Sequence, residues 1–434
     1  MKPKMKMKMR ESLRFVLVGH VDHGKSTLIG RLLYDTGSIA LDRLEEAREA
    51  ARAYGYGAEA GAEFAFLLDH LREEREGALT IDTAQTFFST PARDYVLIDA
   101  PGHAEFLKNM ITGAAQADAA VLIVDVSRGV QEQTRRHAYL LSFLGLEEIV
   151  VALNKMDLVG YAEAPFRAVE EEVGALLKAV GLAPRSYIPI SAREGENIAG
   201  KAGKMAWYRG PTLLEALDSL PSPLPPEDKP LVFPIQDVYE LEGKRLIVGR
   251  VEAGVLKAGM KARLLPLGEM VTLESIVRWS PKLGLCANEE DEAHPGESIG
   301  LMLKEPVPLD RGDIICQPGP GGEDEPHLTT GLQAHLFCLA GPLKRGEELT
   351  LRLATQQVPA RLEEITERLD SASLAVLERD ARALGALEVG SVRLATDQPL
   401  VATRFSELRQ LGRFVLARGQ GGEEISAGGI ITSL

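Results

Sequence analysis

Cysteine is scarce in this chain: Cys286, Cys316 and Cys338 are the only three in 434 residues. An odd number at wide separation excludes a disulfide framework and the paired spacing of a zinc site. They read instead as small buried hydrophobes in a reducing compartment. Long apolar runs are also missing, and no stretch approaches the roughly 20 residues that cross a bilayer. The N-terminus, Met1-Lys2-Pro3-Lys4-Met5-Lys6, alternates Lys with Met and lacks the apolar core of a secretory signal. It reads as a solvated tail on a cytoplasmic protein with no membrane partner. Positive charge is in deficit, with 49 Lys and Arg against 63 Asp and Glu and a net charge of -14. That balance argues against broad contact with nucleic acid, which rests on neutralising phosphates, while leaving room for a local basic patch. What is present, 45% hydrophobic and 26% charged residues, is ordinary for a globular chain. The length exceeds a single core and leads us to expect two or three domains.

From Leu13 to about Ser191, short apolar runs alternate with helical stretches: Phe15 to Val18, Tyr95 to Ile98, Ala119 to Val124, Ile149 to Leu153 and Tyr187 to Ile190. This alternation predicts an α/β fold with a doubly wound, mostly parallel sheet. An Ala, Glu and Arg-rich segment, Leu41 to Leu71, carries apolar residues at helical spacing and reads as an inserted helical switch region. Around residues 221–230 a proline-rich run, Pro221-Ser222-Pro223-Leu224-Pro225-Pro226, blocks both helix and ladder. Beyond it, short alternating strands with glycine turns predict β-barrels, and a second Gly/Pro break at Pro318 to Pro326 divides them. The expected domains are 11–222, nucleotide-binding, then barrels at 228–325 and 326–434.

Each chemical motif begins where one of the predicted strands ends, which is where ligands of open α/β sheets bind. After Phe15 to Val18 come Gly19, His20, Val21, Asp22, His23, Gly24, Lys25, Ser26 and Thr27, a glycine, four residues and then Gly-Lys-Ser. Such a loop cradles a triphosphate with backbone N–H groups and a helix N-terminus; Lys25 reaches the β and γ groups and Ser26 offers its hydroxyl to Mg2+. Asp99, Ala100, Pro101, Gly102 and His103 follow the second run. They place Asp99 to reach Mg2+ through water, the Gly102 N–H at the γ-phosphate, and His103 to position the attacking water. Thr80, after a charged, glycine-containing stretch, is the second hydroxyl for Mg2+. Asn154, Lys155, Met156 and Asp157 select the base. A carboxylate accepts two parallel hydrogen bonds from the N1–H and amine of guanine, which adenine cannot offer, so Asp157 discriminates. Asn154 braces the loop and meets the base edge, and the Lys155 stem covers the ring. Ser191, Ala192 and Arg193 would bring a backbone N–H toward the guanine oxygen. The expected cofactors are GTP and Mg2+.

These residues resemble the translational GTPase superfamily over nearly the whole chain. Gly19 to Thr27 looks like the loop of aminoacyl-tRNA carriers, and Met205 to Glu215, Pro234 to Tyr239 and Val248 to Gly254 are similar to stretches of the superfamily. Within it, Phe66 to Arg72, Phe87 to Thr90, Gln133 to His137, Thr355 to Arg361, Gly412 to Leu416 and Ala427 to Ile430 resemble the GTPase subunit of sulfate adenylyltransferase (ATP sulfurylase), the CysN family. That resemblance implies GTP hydrolysis coupled to adenylyl transfer from ATP to sulfate by a partner catalytic subunit in a hetero-oligomer. The alternative is an elongation-factor-type GTPase that delivers aminoacyl-tRNA to the ribosome. Two departures from the sulfate family stand out. His20 and His23 occupy loop positions where that family has Ser and Asp, as translation factors do. Ala78 replaces the switch glycine, with Gly77 one place earlier, and Ala lacks easy access to positive φ.

Overall fold

Apolar residues at nearly every position of a short run specify strands buried on both faces. In the computed structural model, Ala119–Asp125 is buried at all seven positions and Ile149–Asn154 at all six. The structure describes residues 12–39, 85–99, 117–201, 203–221, 227–241, 244–280, 284–287, 291–317, 325–373, 375–419 and 424–434. The first six strands are β1 (Ser12–Val18), β2 (Gln85–Ser89), β3 (Asp94–Asp99), β4 (Ala119–Asp125), β5 (Ile149–Asn154) and β6 (Ser186–Pro189). They form one sheet in the order β2-β3-β1-β4-β5-β6. Only β2 runs antiparallel, in a hairpin with β3; the other neighbours are parallel. Successive strands are added on either side of β1, so the chain reverses direction there and opens a crevice at its carboxyl end.

Helix α1 (Lys25–Asp35) buries Leu28, Ile29, Leu32 and Leu33 at three- and four-residue spacing. These join Leu13, Phe15 and Leu17 of β1 in one core with Leu213 and Leu217 of a later helix. Val16 and Val18, pointing the opposite way, are equally buried, as a sheet covered on both faces requires. Helix α2 (Glu132–Phe143) opens with a capping box between Gln131 and Thr134, and α3 (Glu163–Ala179) buries Phe166, Val169, Val173 and Leu177. Helix α4 (Leu213–Ser219) starts at Thr212, whose backbone N–H donates to Glu215 Oε2 at 2.9 Å while its hydroxyl accepts from Glu215 N at 3.2 Å. No helix among the described residues is long and apolar enough to cross a membrane.

The chain divides into two compact units, one reaching Pro223 and the other running from Leu224 to Leu434, residues 371–373 apart. The second unit holds two closed antiparallel sheets. In the first, Lys261–Leu265, Ile314–Cys316, Val232–Leu241, Lys244–Arg250, Ser298–Leu303 and Glu269–Ser280 follow one another, and the first pairs back with the last. In the other, the ring runs Glu348–Leu353, Arg413–Arg418, Glu424–Ser433, His327–Cys338, Glu388–Ala402 and Gln356–Asp370, closed by pairing of Glu348–Leu353 with Gln356–Asp370. Closure removes the exposed strand edges that open sheets carry. Val232, Leu265, Ile314 and Cys316 of one barrel share a core with Leu336, Leu351 and Leu416 of the other, so the two behave as one unit. Cys316 and Cys338 are buried thiols, each pushed up by burial, to about 12 and about 11.

Candidate guanine-nucleotide site

Parallel register lines up the ends of four strands. Asp99 stands opposite Leu17, and Asp125 opposite Asn154, so β1, β3, β4 and β5 release their chains side by side. The loop after β1 turns back at His20, whose carbonyl accepts from His23 N at 3.3 Å, and Asp22 sits at φ 65. Gly24, at φ 93, forms the N-cap of α1, a left-handed conformation natural to glycine. A Cβ there would collide with the Asn154 amide nitrogen, so Gly24 also lets the loop sit against the base-recognition segment. Lys25 Nζ lies under the loop and donates to the carbonyls of Gly19 at 2.6 Å and His20 at 3.0 Å. Ser26 and Thr27, half-buried, open the first turn of α1.

Asn154 links two loops. Its amide nitrogen donates to the His23 carbonyl at 2.8 Å, and its amide oxygen accepts from Ala192 N at 2.9 Å. The N–H of Ala192 is therefore engaged with Asn154. Asp157 has its Oδ1 fixed by the Ser191 hydroxyl at 2.7 Å, and since each carboxylate oxygen carries two lone pairs, both can still accept from a base edge. Lys155 adopts φ 66 and sets its ammonium 2.9 Å from Asp125 Oδ2, which fixes the end of its four-carbon stem. Arg193 is exposed. Asp99 is buried at the end of β3. Thr80, Gly102, His103 and the Leu41–Leu71 segment lie outside the described residues.

Two contributors escape the motif reading. Asp125 is 1% exposed; burial pushes its carboxyl up, but hydrogen bonds from Ser127 and the Lys155 ammonium outweigh this and hold it below the usual carboxylate range. Like Asp99, it is an acid closing an apolar strand run, and that was its available signal. His137, on α2, is buried and lowered to about 3, first by burial and then by the charges of Lys25, His20, His23 and Arg136. His23 is lowered to about 4 by burial, against the raising effect of its Nδ1–H bond to the Ile123 carbonyl at 3.3 Å. Its ring lies 5.2 Å from that of His20. The His23 and His137 imidazoles are thus held neutral beside Lys25.

A glycine-bearing loop of the kind that cradles phosphates, the N-terminus of α1 beside it and a carboxylate available to a base edge make up a guanine-nucleotide site, and the comparisons concur. The model of the elongation factor Tu GTP-binding domain matches residues 10–223, and that of a GTP-eEF1A C-terminal domain-like module matches 331–432. Elongation factor 1-alpha of Pyrococcus woesei is 41% identical over 449 residues, covering 99% of this chain and 99% of that protein. Elongation factor 1-alpha of Methanopyrus kandleri is 40% identical over 437 residues, covering 97% of each. The chain belongs to the translational GTPases. It binds GTP, with Mg2+ as the usual partner ion, and carries GTPase activity.

The expectation of a sulfate adenylyltransferase subunit is corrected by these relatives, which match end to end and are named elongation factors. The catalytic partner expected with it, and the nucleotidyltransferase and sulfate-assimilation roles, fall with it. The reason is visible in the fold. Of the third-domain strings that pointed to the sulfate family, Val358, Ala360, Phe414, Leu416 and Ala427 are core residues of a barrel. Packing of that kind follows the architecture and says little about which partner the surface meets.

Proposed function

We propose that this chain is an elongation-factor-type GTPase that delivers aminoacyl-tRNA to the ribosome in the cytoplasm. The single observation that supports it most is identity near 40%, from end to end, with proteins named elongation factor 1-alpha. We take 11–222 as the GTPase domain and 228–325 and 326–434 as the two barrels. Within the site, the loop from Gly19 to Thr27 wraps the phosphates and Lys25 leaves its carbonyl partners to meet the β and γ groups. Asp157 pairs with guanine, Ser191 orients it, and Lys155, drawn out by Asp125, covers the base. Asn154 holds the phosphate and base loops together, as its two hydrogen bonds favour.

The donor set suits Mg2+: hydroxyl and carboxylate oxygens, with Ser26 in the first turn of α1 and buried Asp99 one strand away. Ser26 and Thr80 would hold the ion and Asp99 would reach it through water, and its charge offsets that of the phosphates. Gly102 would report the γ-phosphate and His103 would orient the attacking water. On the second unit, a cleft of about 600 Å3 lined by Gln236, Leu246, Val248, Val277 and Ser298 has the size of a ligand pocket. We assign it to the aminoacyl end.

The test is ester protection. The GTP form, mixed with aminoacyl-tRNA, should slow hydrolysis of the ester bond, the GDP form should not, and ribosomes carrying the matching codon should raise GTP turnover. Absence of both effects overturns the reading.

A further inference from the structure

The Ser191–Glu196 turn, which follows β6, is closed by its own hydrogen bonds. Gly195 N donates to the Ser191 carbonyl at 2.8 Å, Ser191 N to the Glu196 carbonyl at 3.2 Å, and Glu194 N to the Ser191 hydroxyl at 3.3 Å. That same hydroxyl fixes Asp157, and the neighbouring Ala192 N–H is tied to Asn154. A shift of the turn therefore shifts the carboxylate. Gly195 sits at φ 80, and a Cβ there would run into the Nη2, Cζ and Nε atoms of Arg31. Arg31 belongs to α1, whose opposite end begins at the phosphate loop. Its guanidinium is largely buried, donates from Nε to Asp35 Oδ1 at 2.8 Å and lies 5.6 Å from the centre of the Tyr34 ring. Asp35 and Tyr34 thus hold it, and its flat group packs against the one residue of the turn that has no side chain.

We propose that Arg31 is a positioning residue for guanine recognition: its guanidinium braces the Ser191–Glu196 turn through Gly195, so that α1 joins the phosphate and base halves of the site into one rigid piece. The inference rests on the proposed role of Asp157. Arginine suits the task because a planar, preorganised group can stack on backbone, which an ammonium cannot do. Without it the turn loosens, Ser191 no longer fixes Asp157, and the two-bond pairing with the guanine edge weakens. Inosine nucleotides lack the exocyclic amine and need only one of those bonds, so they lose less.

The experiment compares dissociation constants for GTP and ITP in the full chain, alongside thermal melting without nucleotide. Wild type should favour GTP; in Arg31→Ala the preference should fall by about tenfold, a change equal to one standard decade of affinity. Gly195→Ala should harm wild type more than it harms the Arg31→Ala background, because the added methyl group then meets empty space. A folded Arg31→Ala protein that keeps the full GTP over ITP preference overturns the proposal and leaves Arg31 a helix-stabilising residue that moves only the melting temperature. Should Arg31→Ala not fold, Arg31→Lys and Arg31→Gln decide by the same ratio. A wild type that binds both nucleotides equally overturns the Asp157 reading itself, and this inference with it.

Discussion

Buried polar side chains are used differently in the two units. In the first, His23, Asp99, Asp125, His137, Asn154 and Ser191 are all buried, and most gather where β1, β3, β4 and β5 end. Their bonds join distant segments that a ligand would also touch, such as Asn154 to His23, 131 positions apart. In the second unit the buried polar groups staple backbone. Gln356 donates from Nε2 to the Val401 carbonyl and accepts from Val401 N, both at 2.8 Å, and the Thr403 hydroxyl donates to the Leu408 carbonyl at 3.0 Å. Burying polar groups is costly unless they are bonded. The first unit accepts that cost at a binding site, and the second at its seams. Substitutions should therefore separate affinity from stability.

The largest separation is expected at Asp157. Asp157→Asn exchanges an acceptor for a donor at the base edge, and should weaken GTP binding by about 100-fold, or about 2.7 kcal/mol. Xanthine nucleotides, which present a carbonyl where guanine has its amine, should gain. Fluorescent-nucleotide titration measures both, and unmoved GTP affinity would remove the assigned role. Melting should barely change, since the Asp157 side chain is only half-buried.

The converse holds at Gln356. Gln356→Leu leaves the N–H and the carbonyl of Val401 without their partner, a loss of about 2 kcal/mol in stability by the usual cost of stranded backbone groups. Nucleotide affinity should stay at the wild-type value. Denaturant unfolding paired with nucleotide titration reads both, and a loss of affinity without a loss of stability would erase the contrast between the units.

The strands and the phosphate loop were legible because they obey local rules. Fully apolar runs became β3, β4 and β5 within a residue of expectation, and the spacing from Gly19 to Ser26 produced a turn capped by a left-handed Gly24. His137 and the Arg31–Gly195 contact were not legible, because each acts between elements far apart in the chain, whereas Asp125 carried a signal that went unused. The split into two units also escaped, since merging of the two barrel cores depends on side chains such as Val232 and Leu336 meeting in space. The sulfate assignment failed for a related reason. Gln133 to His137 and Thr355 to Arg361 were read as marks of the sulfate family, but in the structure they supply a helix start with a buried imidazole and a barrel staple. The histidines of the loop, His20 and His23, were the better guide.

Those histidines give the smallest effect, and one specific to the first unit. Burial holds His23 and His137 neutral when folded, at about 4 and about 3, whereas an unfolded imidazole titrates near 6.5. Below about pH 6.5 the unfolded chain binds more protons, so stability falls as pH drops through the window from 6.5 toward 4 and is regained above it. At pH 5.5 each histidine should cost about 1.4 kcal/mol relative to pH 7.5, from one pH unit of excess protonation. His137→Gln should shrink that difference by about the same amount in unfolding titrations at the two pH values. Because burial and the charges of Lys25 and Arg136 keep His137 neutral in the folded chain throughout that window, the acid effect should appear in unfolding and leave nucleotide release unchanged. An acid response unchanged in His137→Gln would place the sensitivity elsewhere, with His335 of the second barrel, also lowered by desolvation, the next group to replace.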